Sequence, residues 1–303
     1  MSGVVAPAWL DELDLRAEGP PWLAMGLRKG DDDGWLVADD QRPAELAERE
    51  RLLAERWDDV VHLGAGTEAA GAEVRDLVTE WLAAHAPLEL GGRGDAHASH
   101  PPPSSRGEHP LVAAARLVQE DLCLMVPRPS ATDGVVRHHL DAAVLCFPSH
   151  WRLRDKAGGS AAAVHGPVPT YADDLADRVD RYLARLRPDV IGVRRNWSIH
   201  DSPALHAPVP PSPLPSLDAA AVGESLWLRS ERQTLRALPR SKAVLFTIRV
   251  QQTPFASLAE RPDVAAALAR RLRAQPDALV AMNGLEGRLT PVVSWLEAVS
   301  SIG

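Results

Sequence analysis

Between Cys146 and Pro169 the chain reads Cys146-Phe-Pro-Ser-His-Trp-Arg-Leu-Arg-Asp-Lys156, then Ala-Gly158-Gly-Ser-Ala-Ala-Ala-Val, then His165-Gly-Pro-Val-Pro169. This one stretch gathers two imidazoles, a thiol, an indole and an ammonium beside turns stiffened by proline and glycine. Imidazoles and thiolates bind metals, an indole face walls a pocket or attracts a cation, and an ammonium pairs with an anion. The combination is suited to gripping a ligand. Three further clusters carry comparable chemistry: Gln119-Glu-Asp-Leu-Cys123, Arg194-Arg-Asn-Trp197, and Arg229-Ser-Glu-Arg-Gln-Thr-Leu-Arg236.

Several familiar sites are missing. No Gly-x-Gly-x-x-Gly follows a strand-like run, and there is no Gly-x-x-x-x-Gly-Lys-Ser/Thr, His-Glu-x-x-His or Gly-x-Ser-x-Gly. Nucleotide-fingerprint, zinc-protease and serine-hydrolase readings therefore lose their support. His97, His100 and His109 sit in or beside a Gly/Pro/Ser-rich stretch, 91–110, without periodicity, so no fixed scaffold would hold a metal there.

The elements that must position these clusters follow from periodicity. Pro43 to Val61 is expected to be helical, and Val74, Leu77, Val78, Trp81 and Leu82 fall on one helical stripe. Beyond the loop come short strands, Asp121–Val126 and Asp141–Phe147, and later Ala243–Val250 with a clean two-residue alternation. Tyr171 to Leu186 marks a helix ending before Pro188, followed by a strand over Asp189–Arg194 and a further run over Ser225–Leu238. Ser257-Leu-Ala-Glu260 reads as a capping box, and Val292–Val299 as a last short helix. Helices, strands with one internal helix, then helices favour an α+β fold over a doubly wound sheet.

At 303 residues, with 45% apolar and 24% charged side chains, the chain is expected to be one globular domain spanning 1–303. Its decorations are an acidic N-terminal segment (1–60) and flexible insertions at 91–110 and 203–215. The net charge of −8 is local, because residues 1–60 hold 15 acidic and 7 basic side chains while the rest balances. Asp31-Asp32-Asp33 and Asp39-Asp40 around Trp35 read as a solvated loop or an acidic face for a basic partner. No Lys/Arg cluster of the nucleic-acid-binding kind, long apolar span or secretory leader is apparent, so neither nucleic acid nor membrane is expected and the chain reads as cytoplasmic. Cys123 and Cys146 lie in apolar surroundings and read as reduced, packed thiols.

The phrases Phe147-Pro-Ser149 with Trp151, Lys156-x-Gly158, His165-x-Pro-Val-Pro169, Arg195-Asn-Trp197, Glu231-Arg-Gln-Thr-Leu235 and Leu245-Phe-Thr-Ile-Arg249 occur here in order. On these phrases the sequence resembles the haem-dependent oxidative N-demethylase family, the haem-binding alpha subunits of dimethylamine-oxidising enzymes, over roughly residues 20 to 300. The resemblance implies a PAS-like antiparallel sheet, flanked by N- and C-terminal helices, that carries haem b. It implies a monooxygenase-like reaction in which dioxygen and external electrons from separate reductase subunits remove a methyl group as formaldehyde from a small methylated amine.

By the same resemblance His165 matches the axial iron ligand, with His150 in reserve. Stiff neighbours such as Pro167 and Pro169 would help hold one imidazole orientation. Thiolate ligation would fall to Cys146, whose setting instead suggests core. Arg195, Arg229, Arg232, Arg249 and Lys156 are candidate propionate partners, Arg232 foremost, or else members of structural salt bridges. Trp151 and Trp197 are candidate pocket walls or core, and Glu231 or Glu120 candidate partners for the substrate ammonium. No general acid is assigned. The competing reading is a PAS-like haem sensor or carrier without turnover, and a third is a cofactor-free ligand-binding or structural protein.

Overall fold

The computed structural model describes residues 6–15, 25–86, 107–129, 134–165, 175–209, 217–282 and 285–301. The expected loop with His97 and His100, the Pro167-Val-Pro169 phrase and residues 210–215 of the second Pro-rich connection lie outside them.

In chain order the principal elements are β1 (Arg28–Gly30), α1 (Arg42–Glu55), β2 (Val61–Leu63), α2 (Glu68–His85), α3 (Pro110–Ala115), β3 (Asp121–Pro129), β4 (Val136–Val144), α4 (Ala161–His165), α5 (Ala176–Arg185), β5 (Ile191–His200), β6 (Trp227–Ala237), β7 (Val244–Pro254), α6 (Pro262–Ala274) and α7 (Leu289–Ser300). The fold is α+β, as expected. Seven strands form one sheet in the order β1-β5-β6-β7-β3-β4-β2, and every pairing is antiparallel.

Two apolar cores hold the layers together. The larger joins α1, α2 and α3 to β3, β4 and β7 through Leu52, Val74, Val78, Leu111, Leu122, Leu124 and Leu245, and the smaller packs α6 and α7 against Ile199, Leu228 and Phe255. Fully burying a leucine or valine contributes about 1.5–3 kcal/mol, so these two clusters dominate the favourable side of folding.

Several boundaries differ from the sequence expectation. The Pro43–Val61 helix breaks at Arg56, continues for one turn over Trp57–Val60 and gives way to β2 at Val61. The strand expected over Asp141–Phe147 is β4, which starts five residues earlier and ends at Val144. Cys146 and Phe147 leave the ladder because the buried Asp121 carboxylate accepts both of their backbone N–H groups, at 2.8 Å each. The strand expected over Asp189–Arg194 is β5, which starts at Ile191 and runs on to His200, so Arg195-Asn-Trp197 lies within it. Ser257 does not cap a helix: its hydroxyl donates to the Pro254 carbonyl at 2.8 Å in a 3₁₀ turn, and α6 starts later, with Pro262 in its first turn.

Candidate functional site

Antiparallel register decides which side chains share a face. Arg195 pairs with Arg232 and Arg232 with Arg249, so these three stand side by side on one face of β5, β6 and β7. Asn196 with Glu231, and Ser198 with Arg229, therefore line the opposite face.

Arg195 donates to Glu12 at 3.1 Å, Ser230 Oγ at 3.1 Å and Gln251 Oε1 at 2.9 Å. Arg232 donates to the carbonyls of Trp35, at 3.2 Å, and Gly34. Arg249 pairs with Asp39 at 2.7 Å and Glu45 at 2.8 Å. Each binds the N-terminal segment or α1. The acidic loop is accordingly bound to the body: Trp35 is fully buried, Asp32 pairs with Arg236 at 2.8 Å, and His85 meets Asp33 at 3.1 Å.

On the opposite face residues 147–150 fold against β5 and β6, and the rest of the stretch to His165 packs on β2, β4 and α5. Fully buried Arg229 is its anchor, donating to Ser149 Oγ at 2.9 Å and to the carbonyls of Phe147, Ala204 and Leu205 at 2.8, 3.1 and 2.9 Å. Burial lowers its pKa to about 10, which leaves it cationic at neutral pH. The described half of the second Pro-rich connection is pinned here too, since His206 Nδ1 lies 2.9 Å from the Cys146 carbonyl and the His150 N–H donates to Ala207 at 2.7 Å.

Next along the chain, His150 adopts a left-handed φ of 59°, uncommon for a residue with a Cβ. Its ring stacks on His200 with centroids 4.2 Å apart and planes at 17°. Burial, then the Arg229 charge, lowers both imidazoles, His200 to about 2. Both are neutral at pH 7. Sequence reading missed His200, although Asn196, Ser198 and His200 alternate onto this face once β5 is extended.

Lys156 then lies over the Trp151 ring, 4.8 Å from its centroid, and donates to the Val164 carbonyl at 2.7 Å. Burial holds the ammonium below its ordinary pKa, while Glu231 pulls it back up. Among the described residues Lys156 makes no ion pair. Gly158, at φ 74°, makes the turn that lets its N–H donate to Leu140 at 2.8 Å before Gly159 and Ser160 lead into α4. The last residue of α4 is His165, whose backbone is described and whose side chain is not.

Thus Trp151, Lys156 and the end of α4 are brought together on one face, and Arg195 and Arg232 on the other. Trp197 packs with the smaller core and Glu120 is buried, accepting the Val37 N–H at 2.8 Å. Cys146 is fully buried, with burial raising its thiol to about 12. A packed, protonated thiol is a poor ligand. No group of three or more His, Cys, Asp or Glu among the described residues is arranged to hold a metal by side chains alone. A porphyrin iron needs only one or two protein ligands, and among the described residues this face offers such a group an indole and an ammonium without an ion pair. No helix among the described residues is long and apolar enough to cross a membrane. A family model described as haem-dependent oxidative N-demethylase, alpha subunit-like, matches residues 26–287.

Proposed function

Because this chain belongs to the haem-dependent oxidative N-demethylase, alpha subunit-like family, we propose that it holds haem b against the β5–β6 face and removes an N-methyl group from a small methylated amine. Dioxygen and electrons from separate reductase subunits complete the reaction. In balanced form, the methylated amine, one dioxygen, two electrons and two protons give the demethylated amine, formaldehyde and water. Haem iron, when bound, supplies the one-electron and dioxygen chemistry that side chains lack.

The observation that supports this reading is the Lys156–Val164 hydrogen bond beside the Trp151 ring, which ties the Lys156 turn to the last residues of α4. In this reading His165 is the iron ligand, held as the neutral imidazole that ligation requires. Lys156 keeps two N–H donors for a propionate, and Trp151 walls the plane. Glu231, held by Gln233 at 2.9 Å, gives the face a carboxylate that attracts a protonated amine. Arg195 and Arg232, candidates for propionate binding by resemblance, act instead from the far face by fastening the N-terminal segment. The order of the five central strands, β4-β3-β7-β6-β5, supports a PAS-like sheet, in which the first two strands lie beside a returning meander.

The test is formaldehyde release from a panel of methylated amines by haem-loaded protein with a competent reductase and oxygen. One formaldehyde per amine consumed is expected. Haem binding with no formaldehyde from any amine would instead make the chain a haem carrier or sensor.

A further inference from the structure

Helix α5, which packs on α4 and β4 and brings Tyr182 against Gly192 of β5, presents Arg178, Arg181 and Arg185 at the i, i+3, i+7 spacing of a single helix side. They line a surface cavity of about 560 Å³, together with Lys29 from β1 and Arg187. Arg187 is engaged, with Nε donating to Asp189 Oδ1 at 2.9 Å. The three α5 arginines make no ion pair among the described residues, and no described carboxylate lines the cavity. Like charges gathered around a concavity repel one another unless an anion sits among them.

The rest of the lining is largely apolar, from Met25, Leu186, Val190 and Tyr182. Strand pairing places Gly192 opposite Lys29, and a Cβ at 192 would collide with the Tyr182 hydroxyl, so glycine lets the hydroxyl end of the phenol reach β5. Burial raises the Tyr182 pKa, which keeps the hydroxyl a donor.

We propose that this cavity binds a phosphate-bearing ligand of nucleotide size, with the α5 guanidiniums on the phosphates and the apolar lining against the ring. The volume falls within the range of small-molecule sites, and guanidinium forks match phosphate oxygens in pairs. The site does not depend on the haem reading.

Calorimetric titration of the full chain at low salt, with ADP, adenosine and pyrophosphate as probes, tests it. ADP is expected to bind at least tenfold tighter than either adenosine or pyrophosphate. Arg178→Gln/Arg181→Gln/Arg185→Gln, checked for folding by circular dichroism, is expected to weaken ADP at least thirtyfold, whereas the exposed control Arg270→Gln stays within twofold. Three results would overturn the proposal: no ADP uptake by the native chain at millimolar concentration, equal affinity in the triple variant, or pyrophosphate binding as tightly as ADP. Arginine-dependent binding of polyglutamate without ADP binding would overturn it as well, in favour of an acidic protein partner.

Discussion

The two faces of β5, β6 and β7 use arginine for different ends. On one, Arg195, Arg232 and Arg249 stand in a cross-strand row, each fastened to the N-terminal segment or α1. On the other, Arg229 is the buried arginine and organises a loop, while Lys156 of that loop and Glu231 of β6 stay partly exposed. Arginine is a structural strap on both sides; what differs is the lysine on the loop face, since the Lys156 ammonium donates to Val164 and keeps two N–H donors for a ligand.

The strongest way to break this contrast is to remove the anchor of the loop face. Arg229→Ala leaves the Phe147, Ala204 and Leu205 carbonyls buried without a donor, and urea unfolding should show a loss of about 3 kcal/mol. A loss below about 1 kcal/mol would mean that the loop holds itself.

Acid offers the next largest effect. The folded pKa of His200, about 2, lies below its unfolded value, so the unfolded chain takes up the proton first. Its stabilisation is full above about pH 6.5 and is lost as pH falls towards the folded value, amounting to about 2 kcal/mol by pH 5. His150, shifted the same way, adds to the slope. Unfolding curves at pH 7 and 5 should show this drop, and His200→Gln should flatten it.

Lys156→Gln is expected to weaken haemin binding about tenfold, about 1.4 kcal/mol, by fluorescence quenching. The smallest effect sharpens the contrast from the other side. Arg232→Gln should cost about 1 kcal/mol of stability and expose the N-terminal segment to protease, with haemin affinity unchanged. Should Arg232→Gln rather than Lys156→Gln impair haem binding, the two faces would have to exchange roles.

Much of this architecture is legible in the sequence. The stripe from Val74 to Leu82 and the alternation from Val244 to Val250 became α2 and β7 because apolar periodicity is what a core face demands. The start of β4 was hidden because Val136-Arg-His-His lacks an apolar alternation, and its end because a carboxylate 25 residues away, Asp121, draws Cys146 out of the ladder. The arginines of the matched phrases could be enumerated from sequence but not sorted, since strand register alone decides their face. His200 went unnoticed for the same reason: its partner His150 lies 50 residues earlier, in a left-handed turn that no local pattern announces.

The central claim, that His165 at the end of α4 holds haem iron on the loop face, is tested most directly by titrating haemin into native protein and His165→Ala while recording the Soret band. The account predicts one haem per native chain with a histidine-type Soret band, and an at least tenfold weaker, spectrally altered complex for His165→Ala. It would be contradicted if His165→Ala bound haemin with native affinity and spectrum, or if the native chain took up none.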